Sequence, residues 1–378
     1  MTSGHPNLLM TVLSFLLVIG PLIFIHELGH YYVGRWFGVK AETFSIGFGR
    51  EVFGWSDGRG TRWKVGWLPL GGYVRFKGDM NPASQPSDEW LSLPAEERAQ
   101  TFQARKLWQR FLIVAAGPVV NLLFAVLLFM GIFAAIGYPT SPALITAVET
   151  GGAADRAGVA PGDRIVRIGG REIRNFAELQ DHVRLRPDQA MELVVERGRR
   201  LVRLPVRTGA ATASDSFGNH ARIGTLGVAS NAVALEKLPL SQLPGQAVRQ
   251  TADTVEAMVV TLGQLIRGQR SVKELGGPLK IAQISGQQAS LGWLPFLWLM
   301  AVISINLGFI NLLPIPLLDG GHLLFYLIEG VRRKPLKPEA QEWAFRTGLA
   351  ALLALMIFVT LNDLASFGVW TKLGGLIG

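Results

Sequence analysis

Four stretches of this chain carry no Asp, Glu, Lys or Arg: residues 8–25, 111–137, 291–318 and 347–362. A membrane-spanning helix needs about 17–25 predominantly apolar residues. The second and third stretches exceed that length. The first reaches it and continues helically past Ile25. The fourth is short, but Arg346 at its edge can snorkel to the interface. Composition agrees with this reading. Only 17% of the residues are charged, against about 25% in soluble domains, and the mean hydropathy is +0.30. A polytopic α-helical membrane protein with four transmembrane helices is expected. The tail MTSGHPN has no Lys or Arg, so it lacks the basic region of a signal peptide, and the first span is expected to be retained.

The net charge of +9 does not argue for nucleic acid as a partner, because the basic residues are dispersed and no recognisable nucleic-acid module is present. Their placement fits the positive-inside rule better. The loop 34–110 holds twelve Lys or Arg, the loop 331–342 holds Arg332, Arg333, Lys334 and Lys337, and the N-terminal tail holds none. Both loops are therefore expected on the cytoplasmic side, with residues 138–290 outside. Cysteine is absent, which excludes disulfides and thiolate metal sites.

The polar segments divide by pattern. "ETFSIGFGREVFGWSDGRGTRWKVGWLPLGGYVRF" reads as alternating, aromatic-rich strands around a turn at Asp57–Gly60, a β-hairpin signal. Its position beside the end of the first span suggests a membrane-associated sheet; an ordinary cytoplasmic hairpin reads equally well. Residues 80–100 look like a loop with a short helix. Residues 140–208 resemble a PDZ domain, through "GGAADRAGVAPGDRIVRIGG" and the strands of "AMELVVERGRRLVRLPV". Such a unit would take an extended peptide by strand addition, or serve as a folded spacer. Residues 241–267 read as an amphipathic helix. The expected organisation is span one at 1–37, the hairpin region at 38–106, span two at 107–138, and the inserted, mainly β, extracytoplasmic PDZ domain at 139–209. A linker with the amphipathic helix follows at 210–289, then span three at 290–330, a cytoplasmic loop at 331–343, and span four with the tail at 344–378.

The first apolar run ends in "IHELGH", residues 25–30. On a helix, His26 and His30 are one turn apart on one face, so both imidazoles can reach one metal ion. Glu27 lies about 100° round and can reach a water on that ion. Burying a charge in a bilayer costs at least ~2.5–3.5 kcal/mol, which makes intramembrane ionisable groups functional by default. The plainer alternative is a turn that emerges at the interface and merely caps the span. A catalytic zinc usually has three protein ligands. Asp319, in "NLLPIPLLDGGHLLF", is the only acidic residue between Glu274 and Glu329. Pro314 and Pro316 break the helix before it, and Asp319 is expected at the same depth as His26. His322 is the rival third ligand. Asn311 is a buried amide that could hold a substrate backbone or an oxyanion, or bond between helices; Asn121 poses the same question.

Together, "FIHELGHYYVGRWFGVK", "FSIGFG", "PLGGYVRF", "AAGPVVNLLFA", "GVAPGDRIVRIGG" and "INLLPIPLLDGGHLLF" resemble the site-2 protease family of intramembrane zinc metalloproteases. The bacterial regulator-of-sigma-E protease type is the nearest likeness. The resemblance implies Zn2+ held by His26, His30 and Asp319, with Glu27 as the base and Asn311 holding substrate. It implies that Gly47, Phe48 and Gly49 belong to a membrane-dipping loop that pairs with the substrate. The implied substrates are single-span proteins already trimmed by another protease, such as anti-sigma factors, or leftover signal peptides. The implied location is the bacterial inner membrane, with the PDZ domain periplasmic and the active site near the cytoplasmic face. One PDZ pattern is present where the best-known members with this signature have two. A silent adaptor would have no need of the HExxH and Asp319 trio, and a zinc transporter would need polar residues along several spans.

Overall fold

The computed structural model describes residues 7–78, 93–214, 220–232, 234–268 and 276–366. Two compact units result, one from Met1–Ile132 with Ser241–Gly378 and the other from Phe133–Leu240.

In the first unit, α1 (Leu8–Trp36) starts at Asn7, whose side-chain oxygen accepts the Met10 backbone N–H at 2.7 Å and so fills one of the orphan donors of a helix start. Its two faces differ. Ser14, Val18 and Leu22 are buried, whereas Leu9, Leu13 and Leu17 lie exposed at the same spacing, a stripe that lipid must cover.

Strands β1 (Ala41–Ser56) and β2 (Arg62–Phe76) follow, joined by the expected turn. Asp57 Oδ1 accepts the backbone N–H groups of Arg59 and Thr61, both at 2.9 Å. Both strands fold over on themselves. Residues 43–46 are flanked by 62–65 on one side and 72–75 on the other, and residues 51–56 pair with 62–66. The fold-over point is glycine. Gly47 has φ +84, and a Cβ on it would lie 2.8 Å from the Leu68 carbonyl oxygen. The sheet docks on α1 through Phe44, which packs edge-on against Phe24 and Tyr31 and stacks on Trp63 at 4.3 Å.

One turn, α2 (Ala95–Arg98), precedes the second span, α3 (Leu107–Ile136). The expected loop at 80–100 lies mostly outside the described residues.

The second unit is mainly β. Strands β3 (Tyr138–Thr140) and β4 (Ala147–Val148) lead to the turn α4 (Ala153–Arg156). Strands β5 (Arg164–Ile168) and β6 (Arg171–Glu172), helix α5 (Phe176–Arg184), and strands β7 (Ala190–Arg197) and β8 (Arg200–Arg207) come next. The sheet order is β6-β5-β7-β8. Strands β9 (Gly209–Ser214), β10 (His220–Thr225), β11 (Val228–Ala229) and β12 (Ala234–Glu236) form separate two-stranded pairs, β9 with β10, β11 with β4 and β12 with β3. The core joins Ile165, Ile168, Leu193 and Val195 of the sheet to Leu179 and Val183 of α5. Asn175 caps α5 by accepting the Glu178 N–H at 2.9 Å, while Glu178 accepts the Arg174 N–H at 3.1 Å, a reciprocal arrangement close to a capping box.

Returning to the first unit, α6 (Leu243–Ile266) and α7 (Pro278–Leu291) lead into the third span, α8 (Trp293–Leu312). The apolar stretch 291–318 is not one helix. It breaks at Pro314 and Pro316, turns at Leu317 (φ +82), and restarts as α9 (Asp319–Arg332). Gly320 and Gly321 allow that sharp restart, since a Cβ on either would lie within 2.5 Å of the Leu313 or Ile315 carbonyl oxygen. The last span, α10 (Pro338–Ser366), extends beyond the uncharged run at both ends. The helices α1, α3, α8 and α10 are each long and apolar enough to cross a membrane. Val18 and Leu22 of α1 pack with Met300 of α8, and Phe124 of α3 joins them.

Candidate active site

His26 and Glu27 are each 7% exposed in the last third of α1. The two imidazoles meet one turn apart, with His26 Nε2 3.2 Å from His30 Nε2. Asp319, the first residue of α9, reaches them from the far end of the sequence. Its Oδ2 stands 3.1 Å from His26 Nε2 and 3.5 Å from His30 Nε2.

Two close helix approaches create this arrangement. A Cβ on Gly29 of α1 would lie 2.6 Å from the Ala116 carbonyl oxygen, and one on Gly117 of α3 would lie 2.3 Å from His30 Nε2. Only glycine at both positions lets α3 lie flat against the histidine face. His30 Nδ1 then donates to the Ile113 carbonyl at 2.9 Å. A carbonyl can only accept, so Nδ1 carries a proton, and in the neutral ring the Nε2 lone pair is then left facing Asp319. Pro118, which has no N–H and opens the preceding turn of a helix, lies just beyond that carbonyl.

The donor set fits a metal. Asp319 Oδ2 is buried with the two imidazole nitrogens beside it, an arrangement that is costly in a low-dielectric site when both nitrogens present lone pairs and no cation is bound. The three donor atoms all lie within 4.8 Å of one another. Bonds of about 2.0–2.2 Å around tetrahedral zinc imply donor separations of about 3.3–3.6 Å, close to those observed. His322 lies on the same cavity wall but outside this convergent group.

The cavity beside the trio has a volume of about 560 Å³ and includes Glu27, Asn311 and His322 in its wall. The sheet wall is Phe48, the run Gly71–Val74 and Phe76; Gly47 and Gly49 are not part of the lining. Their glycine character serves the fold-over of β1, since both have φ +84 and a Cβ on Gly49 would strike the Trp67 indole. Gly72 is the glycine at the chemistry, where a Cβ would lie 2.9 Å from Glu27 Cγ. The Val74 backbone N–H reaches the Glu27 carboxylate. The Gly71–Val74 edge lies in "PLGGYVRF", quoted for the resemblance but given no role from the sequence; its signal was the paired glycine. Asn121 is fully buried, behind His26 rather than in the cavity lining.

A family model described as Peptidase family M50 matches residues 14–355. The chain belongs to peptidase family M50. M50 peptidases use zinc, and two imidazoles with a carboxylate are a donor set that zinc accepts. Among M50 relatives, Atu1380 of Agrobacterium fabrum, named as a zinc metalloprotease, is 42% identical over 361 residues, 94% of this chain and 96% of the relative. Metalloprotease MmpA of Caulobacter vibrioides is 35% identical over 393 residues, 97% of this chain and 98% of the relative. A solved PDZ domain of the SdrC-like protein Lin2157 from Listeria innocua matches at 16% identity and a TM-score of 0.19, over 24% of this chain and 96% of the domain.

Proposed function

We propose that this M50 peptidase hydrolyses peptide bonds inside transmembrane segments of single-span proteins, with His26, His30 and Asp319 as the zinc ligands and Glu27 as the general base. The observation that carries the reading is the convergence of these three donors, from opposite ends of the sequence, beside a buried carboxylate and a cavity. Zinc, when bound there, supplies a Lewis acid that brings the pKa of a water down to about 7 and polarises the scissile carbonyl. Glu27 takes the proton from the attacking water and returns it to the departing amine as the C–N bond breaks. Asn311, which lines the cavity, donates to a substrate carbonyl in this reading.

A substrate helix must unwind before it can be cut, because its peptide groups are hidden in their own hydrogen bonds. The Gly71–Val74 edge offers replacement partners by strand addition. Pairing is thus assigned to this segment rather than to Gly47 and Gly49, which do not line the cavity, with Phe48 as the apolar contact. The substrates are pre-trimmed single-span regulators or remnant signal peptides. The protein sits in the bacterial inner membrane, its β-rich unit on the periplasmic side as a PDZ domain that takes a peptide or screens substrates, its active site near the cytoplasmic side. The test is Glu27→Gln, assayed for zinc content and for cleavage of a model single-span substrate with and without chelator. Retained zinc with abolished cleavage is expected. Cleavage by the variant, or by the chelated wild type, overturns the proposal.

A further inference from the structure

Metal binding through both Nε2 atoms requires each imidazole to carry its proton on Nδ1. For His30 the Ile113 carbonyl ensures this. The group facing His26 Nδ1 is the Asn121 side-chain amide, placed with Nδ2 3.2 Å away; which end of an amide is oxygen is assigned from its partners. Asn121 and Ser304 are both fully buried, and Ser304 Oγ of α8 donates to the Asn121 backbone carbonyl at 2.8 Å. The α3 backbone that carries the amide is thus held from a third helix, in a place that water does not reach.

The two ends of a side-chain amide have the same shape and opposite polarity. With the NH2 toward His26, Nδ1 must accept, the proton moves to Nε2, and that nitrogen can no longer bind a metal. The same orientation leaves Asn121 Oδ1 buried without a partner. With the oxygen toward His26, Nδ1–H donates and the Nε2 lone pair points at Asp319 and His30. We infer that Asn121 is a positioning residue whose side-chain oxygen accepts the His26 Nδ1 proton, fixing the tautomer and ring orientation that zinc requires. An amide performs this as a neutral acceptor. A carboxylate in its place would perform it too, adding a third negative charge beside Asp319 and Glu27. The inference rests on the zinc reading of the site.

The test is zinc affinity, measured by competition with a chromophoric chelator on the full-length, detergent-solubilised protein, alongside thermal unfolding of the metal-free form. Asn121→Leu keeps the branched heavy-atom shape, in a somewhat larger side chain, and removes the acceptor. Its zinc affinity should fall about 10–100-fold, the usual effect of losing a partner to a ligating histidine. Asn121→Asp keeps the acceptor and should bind zinc within about threefold of wild type, or more tightly. Wild-type affinity in Asn121→Leu, whatever its melting temperature, overturns the inference. If Asn121→Leu does not fold, Asn121→Asp decides: a loss of tenfold or more overturns the assignment, and retention supports it. A wild-type protein that takes up no zinc refutes the metal reading itself, whatever the Asn121 variants do.

Discussion

Gly117 is the residue on which the site's geometry turns. His30 cannot retreat from a new methyl group there, because its Nδ1 is held by the Ile113 carbonyl at 2.9 Å. The methyl would lie 2.3 Å from His30 Nε2 and 2.9 Å from His26 Cε1. Yet alanine favours a helix over glycine by about 0.8–1.0 kcal/mol. Gly117→Ala should therefore lose at least about tenfold in zinc affinity and cleavage without unfolding, read by chelator competition beside a circular-dichroism melt. The β-rich unit has its own single-residue dependence. Asp163 is buried and accepts Arg197 Nε at 2.8 Å, Arg197 Nη2 at 2.7 Å and the Ala160 N–H at 2.9 Å. The Arg197 hydrogen bonds lead in holding its carboxyl below the usual carboxylate range, against a smaller opposing effect of burial. A depressed folded-state pKa means that this stabilisation is fully present above the unfolded value, about 4, and is lost as pH falls through the folded one. Asp163→Asn should expose β5 and β7 to hydrogen exchange at pH 7 by roughly 1.5–3 kcal/mol. The difference from wild type should shrink below pH 4.

At the scale of elements, the edge of β2 beside Glu27 makes the sharpest forecast. Val74 lies opposite Phe44 of β1, and its N–H is hydrogen-bonded to Glu27. Proline is tolerated in a sheet where the N–H faces away from the ladder. Val74→Pro should thus preserve the sheet and zinc content while removing one donor from Glu27 and from the substrate edge. Turnover should fall about 10-fold or more, by analogy with the loss of one oriented donor at an active site. Lost zinc would instead mark that edge as purely structural. A second element-scale contact ties α7 to α10: Asp363, fully buried, accepts the backbone N–H groups of Gly277 at 2.9 Å and Lys280 at 3.0 Å. It acts as a cap delivered from a distant helix, and Asp363→Ala should raise hydrogen exchange at the start of α7 by an amount equivalent to about 0.5–2 kcal/mol.

These elements also show what the sequence could disclose. The His26–His30 pairing was legible because helical spacing alone places residues four apart on one face. Asp319 was legible because it is the lone carboxylate in a long apolar region broken by two prolines. The hairpin was legible from its alternation and its Asp-Gly turn. Other features depend on tertiary contact. Gly47 and Gly72 carry the same local signal of close backbone approach, and only the folded sheet shows that Gly72 is the one against Glu27. Asn121 could face substrate, another helix or a histidine. The α1–α3 crossing at Gly29 and Gly117 determines which, and no periodicity within either helix encodes that crossing.

For the whole molecule, the metal is expected to join parts of the chain that nothing covalent holds together. Its donors come from α1 and from α9, and between them run the sheet, the second span, the β-rich unit and the third span. Without a cation, one buried carboxylate oxygen and two imidazole lone pairs face each other in a place that water reaches poorly. A ligand that binds only the folded form stabilises it by RT ln(1 + [L]/Kd), about 2.7 kcal/mol at a hundredfold excess over Kd. Adding zinc to the chelated protein should therefore raise the melting temperature by several degrees, measured by differential scanning fluorimetry in detergent. Asp319→Ala should abolish that shift, since it removes the donor that ties α9 to α1. Glu27→Gln should keep the shift in full while cleavage is lost, because the proposed role of Glu27 is on water rather than on the metal. A zinc shift that survives in Asp319→Ala would place the third ligand elsewhere, with His322 the neighbouring candidate on the same cavity wall.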